Sequence, residues 1–104
     1  MTGAANPLRG EAEFSIGGRA HVLRPTFAAL VAAEGELGPL LALVDRATEG
    51  RIALSEIAAL FWHCLAERDG LDRDAVGEAV LSAGLASAMP SLRIILHQIL
   101  AGTA

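Results

Sequence analysis

A chain of 104 residues is long enough for one hydrophobic core and too short for two, and with 53% apolar but only 4% aromatic residues that core has to be built from Ala, Leu, Val and Ile. The formal charge of -4, with eight basic residues that are all arginines and stand singly, argues against a surface that tracks nucleic-acid phosphates. A lone cysteine, Cys64, has no partner for an intramolecular disulfide and fits the reducing cytoplasm.

Residues 1–8 carry no periodicity and are expected to form a flexible N-terminus, followed by one domain over residues 9–104. Met1 to Leu8 lacks a basic segment followed by an apolar one, and no apolar run reaches the roughly 18–20 residues of a membrane span, so neither export nor insertion is expected. From Glu11, the apolar residues Ala12, Phe14 and Ile16 alternate with Glu13 and Ser15 up to Gly17 and Gly18, which reads as a strand entering a turn. Arg19 to Arg24 supplies the second strand of a hairpin. A three-residue loop would set Ala20 and Val22 with Phe14, whereas a two-residue turn would set His21 and Leu23 there, and both registers stay open.

Pro25 closes the hairpin and Thr26 can cap a first helix holding Phe27, Leu30 and Val31, expected to stop near Gly35. Leu37, Leu40, Leu41 and Val44 mark a second helix with Pro39 in its first turn, ending at Thr48-Glu49-Gly50. A third is expected from about Ser55 to Arg68 on the stripe Ile57, Leu60, Phe61, Cys64 and Leu65, with Asp69-Gly70 as the stop. Asp72 caps a fourth helix carrying Val76, Ala79, Val80 and Ala83 up to Gly84. The last carries Leu92, Ile95, Leu96, Ile99 and Leu100, with Pro90 in its first turn and fraying at Gly102. The fold class is therefore α+β: a short N-terminal β-hairpin followed by four to five helices packed as a small, mainly helical domain.

Catalytic signatures are missing from the pattern. His21, His63 and His97 fall on three elements without metal-ligand spacing, and His63 and Cys64 point about 100° apart on their helix. The sequence holds no G-x-S-x-G elbow, P-loop or dinucleotide fingerprint, so no catalytic residue, metal or cofactor is expected. The carboxylate pairs Glu34/Glu36 and Asp72/Asp74 fit solvated or dipole-matched positions. What remains is a surplus of large apolar residues outside the helical stripes: Trp62, Leu81 and Ile94. Either one helix, the last, is wrapped on two sides, or these residues form a surface for a partner chain or another copy, with Trp62 as first anchor. A reading of another class is a small enzyme or ligand-binding domain with a pocket near His21 and His63.

The order of the pieces resembles a known family. Arg9-Gly10-Glu11 precedes the hairpin, Arg24-Pro25-Thr26-Phe27 follows it, and Leu30, Glu34 and Gly38 lie in and after an Ala-rich helix. The run from Ile57 to Leu65 and the Ala/Leu-rich last helix after Gly84 complete the likeness. Over roughly residues 9–101 the chain is similar to the small tail proteins of gene transfer agents and prophages, which are grouped with phage tail assembly chaperones. The resemblance implies a non-enzymatic assembly factor that binds the tape-measure protein while the tail tube forms, with tape-measure and tube proteins as partners and self-association possible. Its alternative is a structural tail or tube component of the particle; a tube wall would ordinarily need a larger sheet than this hairpin, which favours the chaperone.

Overall fold

The computed structural model describes residues 5–6 and 10–102. The expected flexible N-terminus therefore lies, apart from Ala5 and Asn6, outside the described residues, as does Arg9. The alternating segment forms a two-stranded antiparallel hairpin, β1 (Ala12–Ile16) and β2 (Arg19–Leu23). Gly17 and Gly18 have φ of 60° and 81°, the pair of positive values that a two-residue turn following the sheet's twist requires. That turn decides the register: Phe14 stands opposite His21 and Ala12 opposite Leu23. Ala12, Phe14, Ile16 and Leu23 are buried while Glu13 and Ser15 face out, so the hairpin lays one apolar face on the helices.

Five helices follow: α1 (Phe27–Leu37), α2 (Leu40–Thr48), α3 (Leu54–Cys64), α4 (Arg73–Ala83) and α5 (Leu85–Ala101). Thr26 caps α1 by accepting from the Ala29 amide at 3.1 Å. The helix runs past Gly35 to Leu37 and is capped by Gly38, whose amide closes on the Glu34 carbonyl at 2.9 Å, because Pro39 is what forbids continuation. The Glu34 side chain then reaches the Leu40 amide at 3.1 Å and covers an otherwise unpaired donor at the start of α2. Asp72 caps α4 as its sequence position predicts, accepting from Ala75 at 2.7 Å.

Two helices depart from expectation. The apolar stripe of α3 continues to Leu65, yet the helix stops at Cys64, because the chain there finds a better partner in the open edge of β2. The Arg24 amide donates to the Cys64 carbonyl, the Ala66 amide donates to Val22 at 3.0 Å, and Leu65 pairs with Leu23 as a single antiparallel bridge. Helix α5 starts at Leu85, with only Gly84 between it and the end of α4, so Pro90 sits inside it rather than in its first turn. The hydrogen bond that Pro90 cannot donate would have gone to the carbonyl of Ala86, which is an exposed residue.

Helix α3 is the centre of the core. It buries Ile57, Ala59, Leu60, Phe61 and Cys64 from 11 residues, whereas α5 buries four from 17 and keeps a long solvent face, so α3 and not the last helix is the wrapped one. Around it pack Leu23, Leu43, Val76, Val80, Leu92 and Ile95, all essentially inaccessible. On α1 the inward face is Leu30, Ala33 and Leu37, which turns Phe27 out to 86% exposure and leaves Val31 exposed as well. That helix is apolar nearly all round, so periodicity alone could not choose its buried side. Among the described residues no single helix is long and apolar enough to cross a membrane.

Candidate functional site

Ion pairs brace the helices at their ends. Glu36 at the end of α1 receives Arg73 Nη1 at 2.7 Å on one oxygen, and Arg73 Nη2 together with His63 Nε2, at 2.8 Å, on the other. Arg46 of α2 makes a two-point fork with Glu56 of α3 at 2.9 and 2.6 Å, and Glu56 also accepts from the Ala53 amide at 2.9 Å. Arg24 meets Glu11 at 2.7 Å, and the Asn6 amide donates to the second Glu11 oxygen at 3.0 Å. The first two contacts place α1, α2, α3 and α4 relative to one another, and the third ties the two ends of the hairpin together.

The histidine–carboxylate contact that sequence reasoning would associate with acid–base work is thus present, but its chemistry points elsewhere. Hydrogen bonds from Arg73 first and His63 second hold the Glu36 carboxyl down to about 2, so it stays anionic and is a feeble base near neutrality. A cavity of about 280 Å³ beside His63 is lined by Arg24, Thr26, Ala32, Leu65 and Arg68, and His21 is not part of it: it stands on β2 across from Phe14. Burial pushes the Cys64 thiol up to about 12, which leaves no thiolate for nucleophilic work. Among the described residues no three His, Cys, Asp or Glu side chains are grouped to hold a metal ion.

The braces should be visible as acid sensitivity. Glu36 and Glu56 are both lowered from 4.5 to about 2, the latter by Arg46 and then the Ala53 amide. A depressed carboxylate contributes stability that is complete above its unfolded value and is lost as pH falls toward its folded one. The urea midpoint is therefore expected to hold from neutrality to about pH 4.5 and to fall between there and about pH 2. Glu56, with a side chain 20% exposed against 38% for Glu36, should carry the larger share because solvent screens it less. In the variant Glu36→Gln/Glu56→Gln the acid slope should flatten; an unchanged slope would remove both pairs from the stability of the fold.

The more open feature lies between α3 and α4. His63 near the end of α3 touches Arg73 at the start of α4 at 3.2 Å, so the two helices run antiparallel and Leu54, at the start of α3, lies at the Leu81 end of α4. Between them runs a groove of about 630 Å³, lined by Leu54, Ala58, Gly77 and Leu81 together with Asp74 and Glu78. Ala58 and Gly77 carry too little side chain to fill the space between two helices, which is why it stays open. One end is charged, with Asp74 and Glu78 beside Arg73, whose own charge is met by Glu36, and the other is apolar.

The three contact candidates read from the sequence are not brought together. Leu81 stands on the rim of this groove, 63% exposed. Trp62 is half-buried against the core, and the Arg68 guanidinium lies over its ring at 4.9 Å. Ile94 is likewise half-buried and packed on the core from α5. Sequence reasoning missed Leu54 and Phe27 as surface residues. The available signal was the small pair Ala58 and Gly77 on facing helices, since a gap there leaves neighbouring leucines uncovered.

A hairpin packed on five helices whose ends are braced by ion pairs defines a small α+β domain. Residues 9–102 match the family model described as "Phage tail tube protein, GTA-gp10", and the chain belongs to that family of gene transfer agent and phage tail proteins. No curated protein and no solved structure matches the chain significantly.

Proposed function

We propose that this protein is a non-enzymatic structural component of a phage-type tail tube, assembled in the cytoplasm through protein–protein contacts. The observation that carries the reading is the family match over residues 9–102, whose description is that of a tube protein. It favours the structural alternative over a chaperone that keeps a tape-measure protein soluble. The surface supports a role in assembly: Leu54 and Leu81 flank an open groove, and Phe27 and Val31 present a second apolar patch on α1. Leu81 is the contact residue carried forward from the sequence, while Trp62 and Ile94 are half-buried against the core. The small hairpin does not by itself form a wall, so the helices supply the contacts between subunits.

Quantitative mass spectrometry of purified particles tests the reading. A structural component is expected at a fixed ratio to the other tail proteins in finished particles. Recovery only from assembly intermediates, with none in finished particles, would return the role to a chaperone.

A further inference from the structure

Two helices carry the same spacing with opposite chemistry. On α4, Asp74, Glu78 and Leu81 stand at i, i+4 and i+7, within about 60° around the helix, and all three are exposed. On α5, Arg93, His97 and Leu100 repeat that spacing and are exposed as well, Leu100 at 64%. The α4 triplet is one wall of the open groove. Among the described residues the side chains of Asp74, Glu78, Arg93 and His97 make no hydrogen bond or ion pair, whereas Arg24, Arg46, Arg51 and Arg73 are paired with carboxylates.

We propose that the groove between α3 and α4 receives α5 of a second copy of this chain. The two helices run parallel, so that Arg93 faces Asp74, His97 faces Glu78, and Leu100 enters the apolar end between Leu54 and Leu81. Direction follows from the order of the groups. Both triplets span about 10 Å at about 1.5 Å per residue, so a parallel arrangement aligns all three pairs, whereas an antiparallel one sets Leu100 against Asp74 and Arg93 against Leu81. Charge opposite charge and leucine opposite leucine fix the partner as this chain's own α5, because no general apolar ligand needs that graded order. The groove and α5 are different faces of one molecule, so the contact is heterologous. It repeats from copy to copy, which is how rings and continuous assemblies are generated.

The proposal names the partner for the tube-component reading and rests on it only for where the contact is used. Sedimentation equilibrium of the purified full chain tests the contact directly. The wild type is expected to self-associate with rising concentration, and less strongly at high salt. Asp74→Arg and Arg93→Glu should each lower the association constant by about tenfold or more, and Leu100→Ala should weaken it without touching a charge. The double variant Asp74→Arg/Arg93→Glu restores the opposite pairing in reverse and should regain association, and an equal mixture of the two single variants should form a mixed complex. All these positions are exposed, so circular dichroism melts should stay close to wild type.

A wild type that stays monomeric at every concentration overturns the proposal, as does a double variant that fails to recover. If the chain self-associates as described but is missing from purified particles, the contact stands and the tube-component reading fails. If it is built into particles while the charge variants associate unchanged, the reading stands and this contact fails.

Discussion

Phe61→Ala is expected to remove about 3–5 kcal/mol of stability, the largest loss of any single truncation in this chain. Phe61 is the largest side chain that is wholly inaccessible, and it sits on the helix that contributes most to the core. Its ring meets that of Phe14 edge-on, with centroids 5.1 Å apart and planes at 64°, so the substitution removes packing between α3 and the hairpin as well as leaving a void. Domains of this size have a total of roughly 5–15 kcal/mol to lose, so the variant should be partly unfolded at 37 °C. Thermal or urea unfolding followed by circular dichroism measures it. Phe61→Leu should retain about half of the difference, since leucine refills most of the space without the edge contact. A loss under about 1 kcal/mol for the alanine variant would mean that the hairpin is not clamped on α3 through these rings.

The sequence reveals most where local chemistry decides alone. Thr26 and Asp72 cap the helices they precede, Gly17-Gly18 turns the hairpin, and Gly84 separates α4 from α5, each through bonds made within a few residues. Legibility fails where a distant partner competes. Leu65 continues the α3 stripe, yet it leaves the helix to pair with Leu23, 42 residues earlier in the chain, because the β2 edge offers hydrogen bonds there. Pro90 reads as a helix start, yet α5 forms across it, since Ala88, Leu92 and Ile95 are buried on one face and packing outweighs one missing bond.

The candidate site shows the same division. That Leu81 lies off its own stripe is visible from helical geometry, and the structure places it on the groove rim. The groove itself is a property of two helices seen together, set by Ala58 on one and Gly77 on the other, and no pattern within either helix announces it. Phe27 shows the opposite failure: it keeps helical spacing with Leu30, yet faces solvent because the smaller Ala33 is the residue that α1 presses inward. The scarcity of aromatic residues sharpens this effect, since alanine-rich helices pack closely on either face and only tertiary contacts choose between them.

Gly10→Ala is expected to cost about 2–4 kcal/mol, well beyond what a loop substitution ordinarily does. Two effects add at this position. Gly10 has a φ of 73°, where a side chain strains the backbone. A methyl group there would also lie 2.8 Å from Gln98 Cβ and overlap the Gln98 amide oxygen, so relief needs movement of α5 and not merely of a side-chain tip. Gly50 supplies the control, with the same φ of 73° and open space around it, so Gly50→Ala isolates the backbone effect at about 1 kcal/mol. The excess of Gly10→Ala over Gly50→Ala in urea unfolding then measures how firmly the chain before β1 is pressed on α5. Beside Gly10, Glu11 is only 5% exposed and accepts from Arg24 and the Asn6 amide, so the same segment is tied to the hairpin by charge. Gln98 is half-buried on α5, so a displacement forced there moves the helix that carries Arg93, His97 and Leu100. Gly10→Ala should accordingly weaken self-association together with stability, whereas Gly50→Ala should leave association unchanged; equal costs for the two variants would show that this segment does not set the position of α5.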